Sequence, residues 1–390
     1  MGFEQAAALL TAIQEQVTGK QVTVPVVNTS DFVSVAQTTL QAGYEPVLHA
    51  ITQVIAKTLV AVRPYSRKFK GLEYSSERWG GIIRKISFAD MPVDNDPSYS
   101  LTTGNTVDQY AIKNPLVLET RYVGQNIYSG KYTIFTKQLD VAFSSPTEFA
   151  SFMSGLMTHF SNEREQWLED MSRAIMINMI VGKKHLETED AAGMHVIHAL
   201  TMYNADTGKS LTSTSVKAPE NFPAFSKWLY AKIQVLSETM TERSRLFQRY
   251  IDGYDINRHT PKEDQKFFLD AGFLASVSAE VLADTYHDSF LRYADVEPVN
   301  FWQNIFDPDI VKGKAVTVDD SGETVTTDNI TVDKIIGVVM DRDAAGYNIA
   351  DNSLETSPYN AAGQYYNIFS HVRIQLQNDF TEKAVLICLD

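Results

Sequence analysis

The sequence predicts an α+β protein organised around one long helix, and three observations carry that prediction. Ser145, Pro146 and Glu148 form a helix-start signature that opens an apolar stripe running towards Gly182. Period-two alternation appears on both sides of this stripe, between Lys85 and Lys137 and again from Tyr366 to Gln377. The 390 residues are 44% hydrophobic and hold no low-complexity run, which suits a folded chain of two or three domains.

Taken in order, residues 1–20 place Leu9, Leu10, Ile13 and Val17 at helical spacing, a short amphipathic segment. Gln21 to Asn28 reads as an extended arm, because Pro25 spoils a central strand and its β-branched neighbours disfavour helix. Asp31 to Val62 turns helical again, with Asp31 as the expected cap and Val47, Ile51, Val54, Ile55 and Leu59 on one face. Residues 63–140 then change character: aromatic and β-branched residues dominate, two or three long strands are expected, and the turn-rich stretch from Met91 to Pro115 suits a tip or lid. An isolated ribbon of that kind is marginal in water and leans on something else.

Ser145 to His185 is the expected long helix. Phe149, Phe152, Met153, Leu156, Phe160, Trp167, Met171, Ile175 and Asn178 recur at three- and four-residue steps, and Gly182 followed by Lys183, Lys184 and His185 reads as its stop. At 1.5 Å per residue such a helix spans roughly 50 Å. Broken heptads exclude a coiled coil, and Arg164, Glu169, Asp170 and Arg173 exclude a membrane span, which leaves a strut. Beyond it, Met194 to Tyr203 has room for a strand or short helix. Phe225 to Met240 gives an amphipathic helix, Gln265 to Leu269 a buried strand and Ser276 to Asp288 a further helix. Residues 313–334 read as an exposed hairpin around Asp320 to Glu323, Ile335 to Met340 as an apolar strand, and Ala384 to Leu389 as a buried strand returning after a turn at Asn378 to Glu382.

The net charge of −14 argues against a general nucleic-acid binder. A single cysteine, Cys388, excludes an internal disulfide, and Met1 to Lys20 lacks the pattern of a secretory leader, so a reducing cytosol is expected. No catalytic signature stands out. Gly208-Lys209-Ser210 lacks the upstream glycine of a phosphate loop, with Tyr203 in its place, and Asp319, Asp320, Glu323 and Asp328 miss the spacing of a calcium loop. His195 and His198 would share a helical face as metal ligands, the basis of an alternative metal-dependent hydrolase, but no Cys or Glu-x-x-His partner accompanies them. No metal, cofactor or catalytic residue is therefore assigned. Against the acidic whole, Arg63, Arg67, Lys68, Lys70, Arg78, Arg84 and Lys85 fall within 23 residues that hold only Glu73 and Glu77 as acids. They are the candidate inter-subunit contacts, facing a neighbour's carboxylates rather than single-stranded nucleic acid.

The order of these elements resembles a tailed-phage major capsid protein of the Hong Kong 97 fold, and is similar above all to the phi 29-type small podoviruses. The resemblance rests on Arg67 to Gly71 followed by Trp79 to Lys85, on Phe149 to Lys184, on His259 to Asp264 with Phe267 to Leu269, and on Val338 to Ala344 followed by Tyr365 to Phe380. It implies an N-terminal arm and helix over 1–62, an extended β-loop over 63–140 and a spine helix of the peripheral domain over 141–190. An apical domain over 191–340 returns into the peripheral domain, whose C-terminal strands fill 341–390. It implies a non-enzymatic shell protein forming pentamers and hexamers with itself, assembled in the host cytoplasm and carried in the virion. Its expected partners are a separate scaffolding protein, a portal protein and packaged double-stranded DNA touched weakly and without sequence specificity, with no membrane. Within the same fold, an encapsulin-like compartment is the alternative.

Overall fold

The computed structural model describes residues 3–19, 26, 28–58, 65, 67–74, 82–91, 93, 96–110, 112, 114–123, 126–282 and 296–390. Three helices open the chain: α1 (Phe3–Thr18), α2 (Thr29–Gln41) and α3 (Tyr44–Thr58). The continuous helix expected from Asp31 is thus two. Asn28 caps the first, its side-chain oxygen accepting from the Asp31 amide at 2.9 Å, and Gly43 separates them at a φ of 107° that disfavours any side chain. Nearly all of the expected extended arm, Gln21 to Asn28, lies outside the described residues.

The ribbon pairs β1 (Ile82–Phe88) with β2 (Val117–Val123), antiparallel, Ile82 opposite Val123. The next strand, β3 (Asn126–Phe135), belongs to another sheet, and Thr136, expected in a strand, instead starts α4 (Thr136–Ala142). The long helix α5 (Pro146–Glu189) follows. Then come β4 (Val196–His198), α6 (Ala199–Thr207), α7 (Phe222–Thr241), β5 (Gln265–Asp270), α8 (Ala271–Leu282) and β6 (Val296–Val299). The chain closes with β7 (Val311–Gly313), β8 (Val316–Val318), β9 (Thr324–Thr326), β10 (Ile330–Val332), β11 (Ile335–Asp341), β12 (Ala345–Thr356), β13 (Tyr365–Asn378) and β14 (Ala384–Cys388). The described part of α8 begins five residues before the expected Ser276, and residues 283–288 of that expected helix lie outside the described residues.

The long helix packs on two sheets. One is five-stranded, in the order β4-β14-β11-β5-β6; the other is three-stranded, in the order β12-β13-β3. The last strand, β14, lies between β4 and β11, so the division expected at 340 runs between strands that pair in one sheet.

Helix α5 starts as its sequence dictates, with Pro146 in the first turn and the Ser145 hydroxyl accepting from the Glu148 amide at 3.2 Å. It does not stop at Gly182. Forty-four residues long, about 66 Å, it continues to Glu189, where the Asp190 amide donates to Leu186 at 2.8 Å. Gly182 serves close approach instead: a Cβ there would stand 2.5 Å from Phe380 Cε1. The helix joins two cores. Its first half buries Phe149, Met153, Leu156 and Phe160 against α1–α3 and against Ile134, Tyr366 and Ile368 of the three-stranded sheet. Its second half buries Ile175, Met176, Met179 and Ile180 against Val338, Met340 and Leu386 of the five-stranded sheet. The other face of that sheet, through Phe267, Val339 and Val385, packs on Leu200, Leu229 and Ile233 of α6 and α7. Strand alternation explains why both faces are apolar: Val338 and Val339 point to opposite sides, and each side has helices to cover.

Candidate assembly surface

The ribbon has a body side and an outer side, set by alternation. On the body side Lys85 reaches two buried carboxylates of the β13–β14 turn, Asp379 and Glu382. Arg258 joins them, 3.3 Å from Glu382 and donating to the Ser87 hydroxyl at 2.6 Å. Lys85 and the Thr381 hydroxyl hold the Asp379 carboxyl below the usual range despite its burial, whereas burial dominates at Glu382 and pushes it up. On the outer side Arg84 and Arg121, directly opposite each other, both donate to Glu119 at 2.6 Å and hold its carboxyl down at about 2.

The chain before the ribbon lies along α5. Arg67, 8% exposed, pairs with Glu73 and with Glu165 of the helix, the latter at 2.7 Å. Tyr65 donates to Glu169 at 2.7 Å, and Arg173 holds the same carboxylate at 2.5 Å. Phe69, buried and left-handed at a φ of 57°, packs on Phe268 and Trp302. Arg67, Arg84 and Lys85 are therefore engaged by carboxylates of their own chain, with the Arg84 side chain still more than half exposed. The spacing of cations in sequence did not reveal this, because Glu165, Asp379 and Glu382 lie far along the chain. Lys68 and Lys70 are exposed, with no ion pair among the described residues. Arg63 and Arg78 lie outside the described residues.

What composition did not bring forward is the apolar exposure of the expected tip. Met91, Val93, Tyr99, Tyr110 and Ile112 are each at least three-quarters exposed, and Val93 reaches 98%. Leu101, Val107 and Leu116 add partly covered apolar surface. The tip is acidic too, with Asp94, Asp96 and Asp108 against Lys113, the reverse of the root. Its base is tied down: the Asp90 amide donates to Asp255 at 2.6 Å, and the Asp90 carboxylate accepts from Arg243 and from Asn257 Nδ2, the latter at 2.8 Å.

The histidines do not form a metal pair. They sit at and beside the extended β4, not on a helix, so a spacing of three turns them to opposite faces. His195 points to Asp190 at 3.2 Å with Lys183 at 3.4 Å, while His198 meets Glu187 at 2.5 Å. Burial and the Lys183 ammonium press the His195 imidazole down to about 3, and burial lifts the Cys388 thiol to about 12, so neither is poised for chemistry near neutrality.

The chain matches the sequence model of a family described as Phi29-like phage major capsid protein over residues 10–388. No curated protein matches it. Among solved structures, it is similar to a chain of the capsid structure of Staphylococcus phage Andhra, at 10% identity over 84% of this chain and 87% of that one, with a TM-score of 0.53. It is also similar to a chain in the structure of head fiber and inner core protein gp22 of native bacteriophage P68, at 10% identity over 83% and 85%, with a TM-score of 0.51. At such identity the likeness is one of fold, and the fold is the Hong Kong 97 type that the sequence resemblance implies.

Proposed function

The chain belongs to the Phi29-like phage major capsid proteins, and we propose that its copies tile a closed shell around double-stranded DNA by covering one another's ribbon tips. It is a structural protein of the virion that assembles with itself. The observation that carries the tiling is the tip, where five large apolar side chains, each at least three-quarters exposed, stand on a two-stranded ribbon. Clustered exposed apolar groups mark contact surfaces, and a two-stranded ribbon gains its stability from what it lies on. Of the seven cations assigned to subunit contacts, Lys68, Lys70 and the exposed Arg84 are the described ones available to a neighbour's carboxylates. The tip itself calls for a partner surface that is apolar and basic.

The same proposal includes pentamers and hexamers, assembly in the host cytoplasm, a separate scaffolding protein and a portal protein. A chain of net charge −14 supports a wall that holds DNA without adhering to it. Family membership favours this over an encapsulin-like compartment, and among the described residues no helix is long and apolar enough to cross a membrane. The divisions at 62, 140, 190 and 340 remain the proposed limits of arm, loop, spine and apical domain. The test replaces Tyr99 and Tyr110 together by serine. The expected product is an unassembled chain with an unchanged melting temperature and no particles by negative-stain microscopy; wild-type particle yield refutes the role of the tip.

A further inference from the structure

The body side of β2 roofs a cavity of about 10 Å³, room for one small ion or one water. Leu118 and Ile251 supply apolar wall; Gln248, Arg249, Arg258 and Thr381 supply polar groups. The Arg249 side chain is only 4% exposed, yet among the described residues its Nε and one terminal nitrogen, Nη1, find no acceptor, and neither does Nε of Arg258. The carboxylates that reach these arginines use other nitrogens: Asp320 takes Nη2 of Arg249, and Glu382 lies by Nη1 of Arg258. Gln248 is spent at both ends, donating to the Ile256 carbonyl and accepting from the Arg258 amide at 3.0 Å. The Thr381 hydroxyl donates to Asp379 at 2.6 Å.

We propose that this cavity is a binding site for a monovalent, halide-sized anion, chloride in ordinary salt, held by Arg249 and Arg258. Buried charged donors are seldom left unpaired in folded proteins. A water would accept from these N–H groups and donate to a lining hydroxyl of Tyr250, Tyr254 or Thr381, but it brings no charge to the unpaired guanidinium nitrogens. An anion accepts from every direction and sets a negative charge between two guanidinium groups. Phosphate and carboxylate ligands exceed the space. The site lies within one subunit, at the seat of the ribbon, and does not depend on how subunits meet.

The deciding experiment is crystallisation of the full chain in sodium bromide, with anomalous diffraction recorded at the bromine edge. The expected result is a peak in the cavity within hydrogen-bond reach of Arg249 and Arg258; a water there, with bromide confined to the surface, overturns the proposal. In solution, replacing gluconate by chloride at constant ionic strength should raise the melting temperature by about 2 °C or more over a hundredfold range. Arg249→Lys, which keeps the charge but loses the fork of donors, should abolish that response. A response of the same size in the variant also counts against the site.

Discussion

Replacing Gly182 and, separately, Gly155 by alanine isolates what the rest of the protein asks of the long helix. Both positions lie inside α5, so each substitution gains about 1 kcal/mol of helix propensity. At Gly155 nothing lies within 4 Å of the new Cβ, and the gain is kept. At Gly182 the Cβ would stand 2.5 Å from Phe380 Cε1, and that ring is 3% exposed on the turn whose Asp379 and Glu382 hold Lys85. It has nowhere to withdraw without disturbing the turn. Overpacking of this kind costs about 1–3 kcal/mol. Because the propensity gain is common to both, the two variants should differ by about 1–3 kcal/mol, with Gly155→Ala the more stable. Denaturant unfolding of the unassembled chain, followed by circular dichroism, measures that difference. Adding Phe380→Leu to Gly182→Ala should recover much of the loss as a coupling between the two sites. Equal midpoints for the two single variants would refute close packing as the reason for Gly182.

Burial holds Lys183 near 7 rather than at its ordinary 10.5. The unfolded chain therefore binds that proton more tightly, and stability should rise as pH climbs from about 7 towards 10.5, being flat below. Lys183→Met should remove the rise and be neutral or stabilising at pH 7, since the Phe247 carbonyl keeps the Ala384 amide at 2.9 Å; a slope unchanged in the variant would contradict this. Lys85→Met should destabilise the unassembled chain by about 3–5 kcal/mol, because it leaves Asp379 buried without its cation beside Glu382, which keeps only Arg258. If that variant melted like wild type and failed only to form particles, Lys85 would belong to a subunit interface. Cys388 should resist thiol reagents until the chain unfolds, and rapid labelling of the native protein would show the last strand to be open.

Signals that act over a few residues were legible in the sequence; those that depend on distant contacts were not. The start of α5 is local chemistry, a hydroxyl, a proline and a carboxylate within four positions. The glycine that reads as its stop is there for Phe380, some two hundred residues away, and the helix runs on through Gly182 to Glu189. The clean alternation of β13 announces a strand, but nothing in it tells that β14, only a turn later, enters a different sheet. The cationic run from Arg63 to Lys85 is equally visible. The carboxylates that absorb Arg67 and Lys85 come from α5 and from the β13–β14 turn, contacts that only the fold creates. The apolar exposure of the tip was hidden for another reason: tyrosine, valine and isoleucine among aspartates, asparagines and a glycine look like any surface loop until their lack of cover is seen.

One rigid rod of about 66 Å with a separate core at each end acts as a lever. A tilt of about 5° at the end held by α1–α3 would carry the far end, and the five-stranded sheet packed on it, by about 6 Å. Such a displacement needs no melting within the rod itself. Curvature of a whole surface could thus be set by small rotations where α1–α3 meet the rod, with every subunit keeping its internal packing.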